Sequence, residues 1–523
     1  MKKIVTLVVV LLLVLVVAPW GIGRLVERQV NSGLDGLVRE APYLTIVERK
    51  WTSGWFRSEQ EVTFEVFAKL LDFSPATPTP PVAGGAESGV GEPAVQLVAT
   101  QAPNAASDGD AAPAGEAPAE ETAPTVEAAP ARSPLRFTLR NEILHGPVLW
   151  PTSFGIARVN SKLVLNDEIR AKLIEFFGTD EPVRISTRVR FLGGGVTRFS
   201  GDGRKVQMKD GSGELFYDDF KVDIGYGPHF DKVEMDGGWA AAEFSGKTGE
   251  KFRMRGLVLK GESKRVLGEL FDTDFNFGID EMSFVDKQSA ETSISNIHYD
   301  VISSLDDDFM DIGAKLGTGK VSNADLKQLG LRLDEVHYDF TLRHFHAATL
   351  DKLVTAMKAT YSQPIDNASA LDAVLTRPLK EHGLELLRHD PEFVLDRMGI
   401  VTPEGNGIIK GVIRLKGVTA ADLEAGSMSL IGKIDADINI EVAQKLLEKL
   451  PNGATGAGMA VDQGYARREG DKLVSRIEFK RGELKINGKA QGVPGMGEPP
   501  PQQMGPEAAA PAPAPAPRGS KPE

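Results

Sequence analysis

The sequence predicts a mainly β (α+β) protein: an N-terminal transmembrane helix, then a large antiparallel, elongated and curved β-sheet domain with a few packed helices. Three observations predict it. Apolar and polar residues alternate through many runs, the period of a half-buried antiparallel strand. Gly- and Asp-rich turn signals separate those runs. An uncharged apolar stretch opens the chain.

That stretch comes first. From Ile4 to Ala18 every residue except Thr6 is apolar, and the first charge after Lys3 is Arg24. About 20 helical residues cover a ~30 Å hydrocarbon core, so residues 1–23 are assigned as a membrane anchor. Trp20 suits the interface and Lys2 with Lys3 a cytoplasmic end, but Arg24, Arg28 and Arg39 on the far side nearly balance the orientation. The alternative is a leader cut after Ala18, which would set Pro19 directly behind the scissile bond, a poor position. The absence of cysteine excludes a lipoprotein.

Residues 24–73 hold an amphipathic segment (Leu25, Val26, Val30, Leu34, Leu37) and the first strands. Residues 74–134 are an Ala/Pro/Glu-rich insertion without one aromatic side chain, predicted to be disordered because it cannot bury enough apolar area to offset its backbone entropy. Residues 135–490 form the main β-rich domain. Residues 491–523 are a second disordered segment, whose alternating Pro and Ala from Pro511 to Pro517 favour extended geometry.

Within the main domain, Val183 to Phe191 alternates cleanly, as do Val336, Tyr338, Phe340 and Leu342, then Ile409, Gly411, Ile413 and Leu415, and Met428, Leu430, Gly432, Ile434, Ala436 and Ile438. Turns are expected at Gly201-Asp202-Gly203, Asp210-Gly211-Ser212-Gly213, Asp236-Gly237-Gly238 and Arg481-Gly482. Helical spacing marks Asn166 to Phe177, a segment with Leu350, Leu353, Val354 and Met357, another from Leu371 to Leu387, and a fourth through Val442, Leu446, Leu447 and Leu450, stopped by Pro451-Asn452-Gly453.

Composition removes whole classes of chemistry. Without cysteine there is no thiolate nucleophile and no Cys-based zinc or iron-sulfur site. A net charge of −13 argues against nucleic acid as a partner.

Gly54-Trp55-Phe56-Arg57-Ser58, His145-Gly146-Pro147, Leu386-Leu387 followed by Pro391, Thr402-Pro403-Glu404-Gly405 and the closing Gly482-Glu483-Leu484-Lys485-Ile486-Asn487-Gly488 together resemble the YdgA-like family of bacterial envelope proteins, a domain family of unknown function. The resemblance implies a single-pass protein of the bacterial inner membrane, with its N-terminus cytoplasmic and its bulk periplasmic. It carries over no catalytic residue. The long insertion departs from the family pattern, and as a loop it costs little because closure entropy rises only logarithmically with length.

Motifs that bear on chemistry have competing structural explanations. His344 and His346, two apart on a strand, share a face as metal ligands would, but a metal site needs further ligands. His337 has the opposite parity. His145 before Gly146-Pro147 is either functional or the end of a strand. Asp306-Asp307-Asp308 reads as a hairpin turn rather than a calcium loop. Gly193-Gly194-Gly195 and Gly225-Tyr226-Gly227 read as bends in sheet, since no Lys-Ser/Thr follows. Trp51, Trp55 and Phe56 suit a membrane surface or a core equally. The expectation is therefore a non-enzymatic envelope protein with no catalytic, cofactor or metal residues, whose sheet binds lipid or another apolar ligand. The alternatives are an assembly factor acting through homodimerisation or an envelope protein partner, and a hydrolase with unlocated carboxylates.

Overall fold

The computed structural model describes residues 23–66, 135–149, 153–209, 211–360 and 376–492. The apolar segment from Ile4 to Ala18, the 74–134 insertion and the Pro-rich tail from residue 493 lie outside the described residues.

Helix α1 (23–40) opens the described chain. Strands β1 (Leu44–Thr52), β2 (Arg57–Val66) and β3 (Leu135–His145) follow, then a small separate ribbon of β4 (Val148–Leu149) and β5 (Ser153–Phe154), and β6 (Ala157–Val164). Helix α2 (Asp167–Phe177) precedes β7 (Arg184–Val189), β8 (Gly195–Gly201), β9 (Arg204–Gln207), β10 (Gly213–Tyr217) and β11 (Phe220–Tyr226). The longest strands are β12 (Lys232–Gly246), β13 (Lys251–Leu267), β14 (Leu270–Val285) and β15 (Glu291–Asp306). Then come β16 (Phe309–Thr318), β17 (Val321–Ser322), helix α3 (Ala324–Gln328), β18 (Glu335–His346) and helix α4 (Ala347–Thr360). The chain closes with β19 (Glu392–Thr402), β20 (Gly405–Leu415), β21 (Ile434–Ala443), β22 (Arg467–Glu469), β23 (Lys472–Lys480), β24 (Glu483–Ile486) and β25 (Lys489–Gln491).

All but β4 and β5 join one 23-stranded open antiparallel sheet. The backbone of the sheet runs in chain order, β1-β2-β3-β6-β7-β8-β11-β12-β13-β14-β15-β16-β18-β19-β20-β21-β23-β24-β25. Strands β9 and β10 extend the ladder beside the far half of β12. The outer edge of β1 carries a bulge between Ile46 and Glu48 and the charged run Glu48-Arg49-Lys50, features that discourage edge-to-edge pairing. Neighbouring strands rotate by ~20–25°, so the seven steps from β2 to β13 amount to roughly half a turn. This curl explains how α1 reaches both places it touches: Val26 and Val30 pack on Ile143, Ile156, Val159 and Val189, while Glu40 at its end pairs with Arg265 on β13.

The predicted helix from Asn166 is present, with Asn166 capping Ile169 N and Gly178 closing in the left-handed region. Helix α4 bears Leu350, Leu353, Val354 and Met357 as the periodicity requires. Of the Leu371–Leu387 segment, residues 376–387 are described and helical, including a π turn over Leu379–Gly383; residues 371–375 are outside the described set.

Three expectations need correction. Asp236-Gly237-Gly238 is no turn but the middle of β12, where a Cβ on Gly237 would meet Lys221 O and Val222; the glycines admit close approach of a neighbouring strand. Met428 and Leu430 belong to a short helix, Ser427–Ile431, and the strand starts only at Ile434, because flanking Gly426 and Gly432 isolate the apolar run and Ser429 hydroxyl bonds Asp422 in the preceding turn. Val442 lies in β21, and its neighbouring helix is Gln444–Lys449; after Pro451 the chain turns into a further helix, Gly453–Asp462, with Asn452 in the left-handed conformation.

One line across the sheet inverts the pleat. The residues packed together on one face are Ala242, Met254 and Met282 to one side of it, but Trp239, Leu257, Ile279 and Ile297 to the other, spacings of three rather than an even number. Gly256 (φ 65°) and Asn296 (φ 47°) sit on that line, and a Cβ at Gly256 would collide with the Asp280 carboxylate. Gly256→Ala is expected to lower stability by about 1 kcal/mol or more, measured by urea unfolding against Gly249→Ala, where φ is also positive (100°) but the space around the Cβ is open.

Candidate functional site

The two faces of the sheet differ in chemistry. Following the register from β13 to β23, one row reads Leu259, Phe277, Tyr299, Leu316, Tyr338, Met398, Ile409, Ile440 and Ser475. The next reads Gly261, Phe275, Val301, Ala314, Phe340, Leu395, Gly411, Ile438 and Ile477. Only Ser475 carries a polar group beyond the tyrosine hydroxyls. The opposite face of the same strands reads Lys260, Asn276, Asp300, Lys315, Asp339 and Arg397, and farther along it Arg476 pairs with Asp437 at 2.6 Å. Antiparallel sheets commonly solvate one face and pack the other. Here the apolar face is only partly packed: Leu316 is 46% exposed and Tyr338 40%.

Helices shelter its margins. On one side α4 sets Leu350 and Leu353 against Met310, Leu305, Ile312 and Phe345, with Leu386 buried in the same cluster. On the other, Leu446 of the helix Gln444–Lys449, nearly fully buried, packs on Ile400, Val442 and Leu331. Between these walls the two rows form an open apolar floor. Nine strands at ~4.8 Å spacing make it roughly 40 Å long.

The same face continues to β2 and β3, where it changes character beneath α1. Ser58 and Gln60 of β2 and Asn141 and His145 of β3 are buried polar residues pointing into this interface. Asn141 Nδ2 donates to Gln60 Oε1 at 2.9 Å, and Gln60 Nε2 donates to Asn31 Oδ1 of α1 at 2.9 Å. His145 Nδ1 lies 3.2 Å from the Trp55 carbonyl, which can only accept, so Nδ1 carries the proton and Nε2 accepts from the Ser58 hydroxyl 3.0 Å away. Two segments distant in sequence, Gly54 to Ser58 and His145 to Pro147, thus meet at one buried junction. Its hydroxyl-to-imidazole bond has the polarity of a nucleophile and base, but both side chains are enclosed beneath the helix, and the bonds lock the β1–β2 turn to the end of β3.

The comparisons with known proteins bear on this architecture. The family model described as "Bacterial protein of unknown function (DUF945)" matches residues 1–492. The chain belongs to this family. No curated protein and no solved structure matches it. In this DUF945 chain, the sheet, its apolar floor and the buried junction all fall within the matched residues.

The other sequence candidates are placed as follows. His344 and His346 share a face and flank the Phe309 ring, at 3.8 Å and 6.0 Å between centroids. His389 stacks on His346 at 4.0 Å, and burial, followed by the His346 charge, pushes its pKa down. Their Nδ1 atoms are engaged, His344 with the His389 carbonyl and His346 with Thr349; among the described residues no group of three His, Asp or Glu converges as metal ligands would. His337 sits on the charged face beside Glu335 at 2.8 Å. Asp306, Asp307 and Asp308 make the β15–β16 hairpin turn, with Asp307 at φ 50°. Gly193 and Gly194 form the β7–β8 turn, Gly195 opens β8, and Gly225 lies within β11. Trp51 packs under α1, whereas Trp55 and Phe56 are exposed.

A charge cluster fastens α1 to the groove wall. Glu40 meets Arg265 at 2.8 Å and Lys358 of α4 at 3.1 Å, and Glu269 pairs with the same two cations. Partial burial raises the Glu269 pKa, but bonds and charge from Lys358 and then Arg265 outweigh it, and the net shift is downward. A lowered folded pKa stabilises above the unfolded value near 4.3 and is lost as pH falls through the folded one. Melting temperature should therefore decline below about pH 4, and Glu269→Gln should flatten that part of the profile.

Proposed function

We propose that this protein is a non-enzymatic component of the bacterial envelope, held in the inner membrane by residues 1–23, whose periplasmic β-rich domain binds the acyl chains of lipids along its apolar floor. The observation that carries this reading is the pair of apolar rows from Leu259 and Gly261 on β13 to β23, open to solvent between two helical walls. An acyl chain is about half as long as a ~30 Å hydrocarbon core, so a floor of roughly 40 Å accommodates more than one in sequence. Such a ligand needs no hydrogen-bonding partners, and the rows offer almost none. The apolar run from Ile4 to Ala18 and the YdgA-like motifs support the anchoring and the compartment.

A photoreactive amino acid at Leu316 tests the reading in living cells, with Val258, similarly exposed at 38% but on the opposite face, as control. Lipid adducts are expected at Leu316 alone, identified by mass spectrometry. Equal labelling at both positions, or crosslinks only to a second copy of the chain, would sink it.

A further inference from the structure

The sheet edge where α1 begins carries apolar side chains that the groove does not use. Three connections lie consecutively along it: β1–β2, β3–β6 and β7–β8, since Leu144 pairs with Arg57, His145 with Ala157, and Ala157 with Val189. Their tips present Trp55, Phe56, Phe154, Phe191 and Leu192. Phe154 is 74% exposed and Leu192 91%, with the other three at half or slightly more. Adjacent strands are ~4.8 Å apart, so the three tips stand side by side within roughly 20 Å of this edge. Isolated exposed apolar residues are ordinary, but a contiguous patch marks an interaction surface.

The direction of α1 identifies what faces this patch. Gly23 lies against the His145 ring at the edge, Asn31 bonds Gln60, whose partner Asn141 is four residues farther in, and Asp35 reaches Arg49, opposite Val62 and farther in again. The helix therefore runs inward from the edge, and its N-terminal end points outward past the tips. The sequence upstream of Gly23 is the apolar run from Ile4 to Ala18.

We infer that these three hairpin tips are a bilayer-docking surface, seated in the interfacial layer of the membrane that the N-terminal apolar segment enters. This rests on the anchor proposed above. Trp and Phe side chains favour the headgroup boundary, where apolar groups settle ~5–10 Å deep. Arg188 and Arg190, exposed at the base of the β7–β8 tip, are placed for the phosphates of anionic lipids. Docking fixes the domain upright at the membrane instead of leaving it swinging on a single helix.

The absence of native cysteine gives a clean test with the full chain. Leu192→Cys, and separately Phe154→Cys, would carry an environment-sensitive fluorophore, with Val183→Cys at the other end of β7, 43% exposed, as control. The chain is reconstituted in phosphatidylethanolamine and phosphatidylglycerol vesicles containing an acyl-chain nitroxide lipid. Labels at 192 and 154 are expected to lose about half their emission, the 183 label almost none. A chain that floats with the vesicles but shows equal quenching at both edges, or a label at 192 shielded without quenching, overturns the docking surface alone. A chain that does not float overturns the anchor and the docking surface together.

Discussion

Leu316→Glu combined with Tyr338→Glu is expected to cut lipid adducts from a photoreactive group placed at Met398, their neighbour in the same row, while leaving the melting temperature nearly unchanged. The two positions are partly exposed and adjacent in register. In the empty floor the new carboxylates stay in water. Under an acyl chain they must be desolvated or neutralised, which costs several kcal/mol, and every 1.4 kcal/mol is about tenfold in occupancy. Adduct yield is therefore expected to fall by about tenfold or more. Unchanged yield in a folded double variant would remove the floor as the ligand's seat, and a collapsed melt would show that these rows are core.

A second large effect is expected at the junction under α1. Gln60→Leu leaves Asn141 Nδ2 and Asn31 Oδ1 without their partner, a buried loss of about 1–3 kcal/mol. Adding Asn141→Leu removes one orphan and the buried unpaired Asn141 Oδ1 with it. The double variant should recover part of the loss, with a coupling of about 0.5–3 kcal/mol, measured by urea unfolding. Additive losses would mean that the two amides do not act as one network.

The strands were legible because their faces differ so strongly: a period of two survives wherever one side is apolar and the other charged, as from Val336 to Leu342. The same signal failed at β2. Ser58, Glu59, Gln60 and Glu61 are polar on both parities, so alternation could not say which side turns inward, and the junction with Asn141 and His145 stayed hidden. Glycine pairs misled for a related reason: Gly237 and Gly238 relieve crowding between strands, yet their composition is that of a turn. The floor itself depends on register between strands, which no single run encodes. The anchor was read from apolar length alone, on residues outside those described.

Pairing of most strands with their immediate predecessor gives the sheet a low contact order for an all-antiparallel structure, with the β2–β3 and β18–β19 connections as long exceptions. Each hairpin closes a short loop and offers a finished edge to the next. Such a sheet is suited to vectorial assembly, adding strands as the chain emerges from the ribosome, and to lengthening by insertion of whole hairpins. Its span is set by how many hairpins it contains rather than by the closure of a barrel.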